Sequence, residues 1–107
     1  MRKGKRLKFK DWLVINLLLN SDSKIQVGWT VPTYVGNAVI RNRYKRWLKN
    51  YLATKWELSE NLQSGCTVHF YFQKKDKNFY REMDHTSYDE TIKIGLIDVD
   101  KKARANH

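Results

Sequence analysis

The side chains of this chain best placed to do chemistry are cations rather than nucleophiles. Between Gly36 and Lys49 it reads GNAVIRNRYKRWLK, a stretch in which every formal charge is positive, and from Ser23 through Trp56 there is no Asp or Glu. Guanidinium and ammonium groups gathered without counter-charges bind anions, and along a polymer they bind several phosphates at once. An ordinary exposed helix face mixes signs, so that i, i+4 pairs attract by about 0.2–0.5 kcal/mol each. Here Arg41 with Lys45, and Lys45 with Lys49, repel instead, a cost that an anionic partner relieves.

The spacing predicts the element that carries these cations. Ile40, Tyr44, Trp47, Leu48, Tyr51 and Leu52 follow the i, i+4, i+7, i+8, i+11, i+12 pattern of one apolar helix stripe. At roughly 100° per residue, Asn42, Arg43, Lys45, Arg46, Lys49 and Asn50 fan across the opposite side, with Arg41 on the flank. Asn37 is placed to cap the first turn through its side-chain oxygen. One face is then core and the other a cationic platform.

Charge is divided unevenly along the chain. The whole carries a formal +10, with a pI near 9.8. Residues 1 to 56 hold 13 Lys and Arg against 2 acids, whereas residues 57 to 107 hold 8 against 9. All the net charge therefore sits in the first half. Six cations fall within the first ten residues, a segment expected either to track phosphates as a flexible basic arm or to remain disordered.

Other chemistries find little support. Cys66 is the single cysteine and lies in an apolar run, as a small buried hydrophobe would, and this usage fits a reducing cytoplasm. His69, His85 and His107 lack the paired spacing of a metal site, and no carboxylates or histidines are spaced to hold a metal or a general base. The apolar run Trp12 to Leu19 is interrupted by Asn16 and is too short to span a bilayer, and no cleavable signal precedes it.

The elements that must position the cationic helix follow from pattern. Trp12 to Leu19 reads as a buried strand or short helix, ended by the turn-prone Asn20 to Ser23. Ile25, Val27, Trp29 and Val31 alternate with Gln26, Gly28 and Thr30, as in a half-buried strand, and Pro32 ends it. The short turn between the two favours an antiparallel hairpin and tips the first run towards strand. After the helix, Cys66, Val68, Phe70 and Phe72 alternate in a third strand. Gln73 to Asp84 reads as a charged loop. Ser87 with Glu90 has capping-box spacing, opening a last helix with Tyr88, Ile92, Leu96 and Val99 inward. Gly95 costs that helix up to about 1 kcal/mol relative to Ala. The expectation is one α/β (α+β) domain over residues 1–107, in the order ββαβα.

The string VGNAVIRNRYKRWLK resembles the signature of the bacterial ribonuclease P protein subunit, with the Arg41, Asn42, Arg43 core and the flanking glycine, alanine and basic positions in register. The preceding strands, the apolar strand after the helix and the SYDET opening of the last helix agree, so the resemblance covers roughly residues 4 to 100. It departs at Pro32, Thr33 and Tyr34, where relatives usually carry Ser-Lys-Lys. It departs again at the start, since the chain begins near the loop that follows the helix with which relatives open. The family's N-terminal helix is accordingly expected to be missing, which puts leader binding in question.

The resemblance implies a small mixed sheet in which the basic helix joins two parallel strands by a left-handed crossover, a handedness that general rules would not predict. It also implies a cytoplasmic ribonucleoprotein and endonuclease, a hydrolase whose RNA, requiring Mg2+, removes the 5′ leader from precursor tRNA. The protein would contact ribonuclease P RNA and precursor tRNA, hold no cofactor and supply no catalytic residue. Carried over by position, Arg41, Asn42, Arg43, Lys45, Arg46 and Lys49 form the RNA-facing set, and Leu13, Ile15 and Tyr34 line a leader cleft. Arginine suits the first set because its planar fork can grip phosphate bidentately, while lysine acts as a point charge. Two alternatives stay open: an RNA-binding relative that has lost the tRNA role, and a basic amphipathic protein lying on anionic lipid.

Overall fold

The computed structural model describes residues 5–19, 25–55, 65–76 and 78–105. Four strands, β1 (Lys5–Phe9), β2 (Leu13–Leu19), β3 (Ile25–Thr30) and β4 (Cys66–Phe72), form one sheet in the order β1-β2-β4-β3. Helix α1 (Ala38–Thr54) follows a single 3-10 turn at Thr33–Val35; α2 (Phe79–Glu82) and α3 (His85–Ala105) come after β4.

The sheet corrects two expectations. β2 and β3 are not hairpin partners, because β4 lies between them, antiparallel to β2 and parallel to β3. Periodicity establishes that a segment is a strand but says nothing of its neighbour. β4 presents Cys66, Val68, Phe70 and Phe72, all 0% exposed, on one face, so it gains most from the central position. The α1 segment thus connects parallel neighbours, as the family resemblance implies. The second correction concerns the basic start: Lys5–Phe9 is not an arm but a strand paired antiparallel to β2. Its connection, Lys10 to Trp12, holds a β-turn whose two central residues, Lys10 and Asp11, are both at positive φ, 54° and 61°, closed by a Trp12 N–H to Phe9 carbonyl bond of 3.3 Å. Hairpin turns need such φ values, and Asn or Gly normally announces them; here neither does.

The apolar layer lies between one sheet face and the helices. Leu13, Ile15 and Leu17 pair across with Phe72, Phe70 and Val68, and all six are buried. Against them pack Tyr44, Leu48 and Tyr51 of α1 and Tyr88, Ile92, Leu96 and Val99 of α3, the stripes read from the sequence. An aromatic cluster closes one end. The Tyr88 ring lies 5.7 Å from that of Trp12, 5.3 Å from that of Tyr44 and 6.3 Å from that of Phe72. Its hydroxyl donates to the Tyr44 carbonyl at 3.2 Å, and the Tyr44 hydroxyl donates to the Tyr80 carbonyl. Buried phenols need such partners, because an unsatisfied hydroxyl costs about 1–3 kcal/mol. Tyr80 sits in the stretch expected to be loop; one helical turn, α2, carries it into the core.

Two details of α3 also differ from expectation. Its cap is Asp84 rather than Ser87: the Asp84 carboxylate accepts from the Ser87 N–H at 3.3 Å, and hydrogen bonds from Ser87 hold that carboxyl below its usual range. Gly95 is a contact requirement rather than a flaw. A β-carbon there would stand 2.7 Å from Ile15 Cδ1 and 3.4 Å from the Phe9 ring, so its absence lets α3 lie close on β1 and β2.

Candidate nucleic-acid interface

The interface begins at a two-residue joint. Gly36 adopts φ 156°, a backbone region that favours glycine, and a β-carbon there would meet Ile40 at 2.9 Å. Asn37 follows in extended conformation, and its Oδ1 accepts from the Ile40 N–H at 3.0 Å, capping α1. These two residues set where α1 starts and thus which of its faces the sheet covers. Tyr44, Leu48 and Tyr51 turn fully inward, with Ile40, Trp47 and Leu52 half-buried beside them.

The six polar residues proposed for this helix do not form one uniform face. Asn42, Lys45, Arg46 and Lys49 come together with Asn50 and Ala53 along a groove of 590 Å³, whose far wall is Trp29 of β3. Arg41 is turned back, its Nε–H donating to the Gly36 carbonyl at 3.1 Å. Arg43 lies on the other flank with its guanidinium 5.8 Å from the centre of the Trp47 ring, within cation–π range. That ring also stacks on His85 of α3, 4.3 Å away and 5° from parallel.

Electrostatically the groove is uncompensated. Lys55, at the end of α1, pairs with Asp89 of α3 at 2.9 Å, and Asp89 also lies 3.4 Å from His85 Nε2. Among the described residues no carboxylate reaches Lys45, Arg46 or Lys49. The groove can therefore attract anions without first breaking an ion pair.

The residues expected to line a second cleft separate. Leu13 and Ile15 are 0% exposed on the helix-covered face of the sheet, closed to any ligand. Register places them with Phe72 and Phe70, so the family-derived expectation for these two is corrected. Tyr34 stays at the surface, 37% exposed; its hydroxyl donates to the Phe72 carbonyl at 2.7 Å and lies 3.2 Å from the Tyr71 hydroxyl. Burial, and then the Tyr71 hydroxyl, push the Tyr34 phenol up to about 12. The opposite sheet face carries Arg6, Lys8, Asn16, His69, Tyr71 and Thr30 in adjoining register, with Thr30 Oγ1 2.7 Å from His69 Nε2.

Three contributors escaped sequence reasoning. Trp29 reads as an ordinary inward strand residue, and only its place on the edge strand puts it beside the cations. Arg6 and Lys8 read as part of a loose arm, although their alternation with Leu7 and Phe9 was a strand signal. Among the described residues no three His, Cys, Asp or Glu side chains gather as a metal site, and no helix is long and apolar enough to cross a membrane.

Fold and surface together define a small α+β domain with an uncompensated cationic helix flank, a surface whose charge suits a polyanion. A family model described as Ribonuclease P matches residues 1–86, and the chain belongs to that family. The fold is shared with solved structures. A ribonuclease P protein from Thermotoga maritima, in complex with 1-(4-fluorophenyl)-2-thiourea, aligns over 88% of this chain and 83% of its own, with TM-score 0.69 and 22% identity. The Staphylococcus aureus ribonuclease P protein aligns over 87% and 78%, with TM-score 0.67 and 18% identity. No curated protein sequence matches the chain.

Proposed function

We propose that this chain is the protein subunit of ribonuclease P, binding the catalytic RNA and assisting removal of the 5′ leader from precursor tRNA. The observation that carries the reading is the family signature folded as one functional unit: Gly36 and Asn37 start α1, and Asn42, Lys45, Arg46 and Lys49 line an open groove without counter-charges. Arg41 and Arg43 flank it and extend the cationic surface. Hydrolysis of the phosphodiester belongs to the RNA and its Mg2+; no protein group is assigned a bond-breaking role. The protein screens phosphate repulsion between two RNAs, which lowers the magnesium needed for them to associate. The complex would operate in the cytoplasm.

For the leader, the surface that supports contact is the uncovered sheet face, with Arg6 and Lys8 for phosphates and Tyr34 and Tyr71 as aromatic edges, in place of the buried Leu13 and Ile15. Reconstitution tests the whole reading. Mixed with a bacterial ribonuclease P RNA and precursor tRNA at low magnesium, the protein is expected to accelerate cleavage at the mature 5′ end. Binding of the RNA with no acceleration would instead favour an RNA-binding relative without the tRNA role.

A further inference from the structure

The groove beside α1 has a composition that phosphate binding alone does not require. Lys45, Arg46 and Lys49 would suffice for a backbone. Yet its wall is the half-buried indole of Trp29, and two neutral amides, Asn42 and Asn50, stand two helical turns apart among the cations. Trp29 pairs in register with Phe70 on the core face, at the outer strand of the sheet, so one part of its ring rests on the core and another faces the groove. Aromatic side chains in cationic grooves stack unpaired bases, and amide side chains can match the donor and acceptor pairs on base edges.

We propose that this groove receives one unpaired nucleotide of an RNA strand: its base stacks on Trp29, its edge meets Asn42 or Asn50, and its flanking phosphates lie on Lys45, Arg46 and Lys49. This deepens the RNA-binding reading above and rests on it. The groove would thereby favour RNA in which a nucleotide is bulged or single-stranded over a continuous duplex, whose bases are stacked on one another.

The test uses a short RNA hairpin with one bulged 2-aminopurine, and the same hairpin without the bulge. The wild-type chain is compared with Trp29→Leu, which keeps apolar packing without a π-face, Trp29→Phe, which keeps a smaller one, and Asn50→Ala at an exposed position that packing does not need. The expected result is quenching of the 2-aminopurine by wild type and tighter binding of the bulged hairpin. Trp29→Leu should abolish the quenching and weaken bulged-RNA binding about tenfold, with Trp29→Phe between the two. Asn50→Ala should lose part of the bulge preference. The salt dependence should be the same for all four proteins, because none of the changes removes a phosphate contact. Equal loss of affinity for both hairpins in Trp29→Leu would show that Trp29 only supports α1, and unchanged binding and quenching would likewise overturn the proposal. A wild-type protein that binds both hairpins equally overturns this inference and leaves the RNA-binding reading standing. One that binds neither removes both.

Discussion

At the residue scale, the cations of α1 divide by what already holds them. Arg46 is exposed and, among the described residues, meets no carboxylate, whereas Arg43 is tied to Trp47 through its guanidinium. Their substitutions should therefore differ. Arg46→Ala is expected to leave thermal stability unchanged and to lower the slope of log K against log salt for RNA binding by about one. Arg43→Ala should also lower the melting temperature slightly, since an exposed cation–π contact is worth about 0.5–1 kcal/mol. Paired salt titrations and melts check this. An unchanged slope for Arg46→Ala would remove it from the phosphate contacts. The cation positions were legible in the sequence because like charge without acids is visible in one dimension. Their division between two flanks was not, because it depends on where Trp29 and Trp47 stand.

At the element scale, α3 shows how local propensity misleads. Taken alone, Gly95 weakens a helix, and Gly95→Ala should stabilise it by about 1 kcal/mol. In the fold its missing β-carbon is the room in which Ile15 sits. The expected outcome is that Gly95→Ala gives no rise in melting temperature, the gain in helix propensity being offset by crowding at 2.7 Å. A rise of several degrees in a circular dichroism melt would show that Ile15 yields freely. The same lesson covers β1. Its alternation of Arg6 and Lys8 with Leu7 and Phe9 is a strand pattern, but density of charge and a turn with neither Asn nor Gly conceal the hairpin. The caps were legible in part: Asn37 caps α1 as its sequence position suggests, while at α3 Asp84 takes the place expected for Ser87.

At the scale of the whole molecule, the buried phenols couple the fold to pH. Burial pushes Tyr44 up to about 12, with the Arg43 charge opposing in part, and it also raises Tyr80 and Tyr88 above the ordinary tyrosine value. Unfolded, these groups lose their protons near the ordinary tyrosine value of about 10. Above that pH the folded chain binds more protons than the unfolded one, so stability falls as pH rises. The contribution of Tyr44 is thus complete below about pH 10 and lost towards pH 12. Melting temperature should be insensitive to these groups from neutral pH to about 9.5 and then drop, and absorbance at the phenolate band should show a late-titrating set. A single phenolate transition near 10 with the fold intact would contradict the burial of these rings.

The sequence by itself determined which faces are apolar, where α1 begins and that its outer surface is cationic, because periodicity, capping and charge are local properties carried by residues a few positions apart. Only the tertiary structure decided that β4 separates β2 from β3, that Leu13 and Ile15 are sealed in the core, and that Trp29 stands opposite the helix cations. Those outcomes join residues tens of positions apart, and they are selected by how completely the sheet and helices can bury each other's apolar faces rather than by any preference written in a short segment.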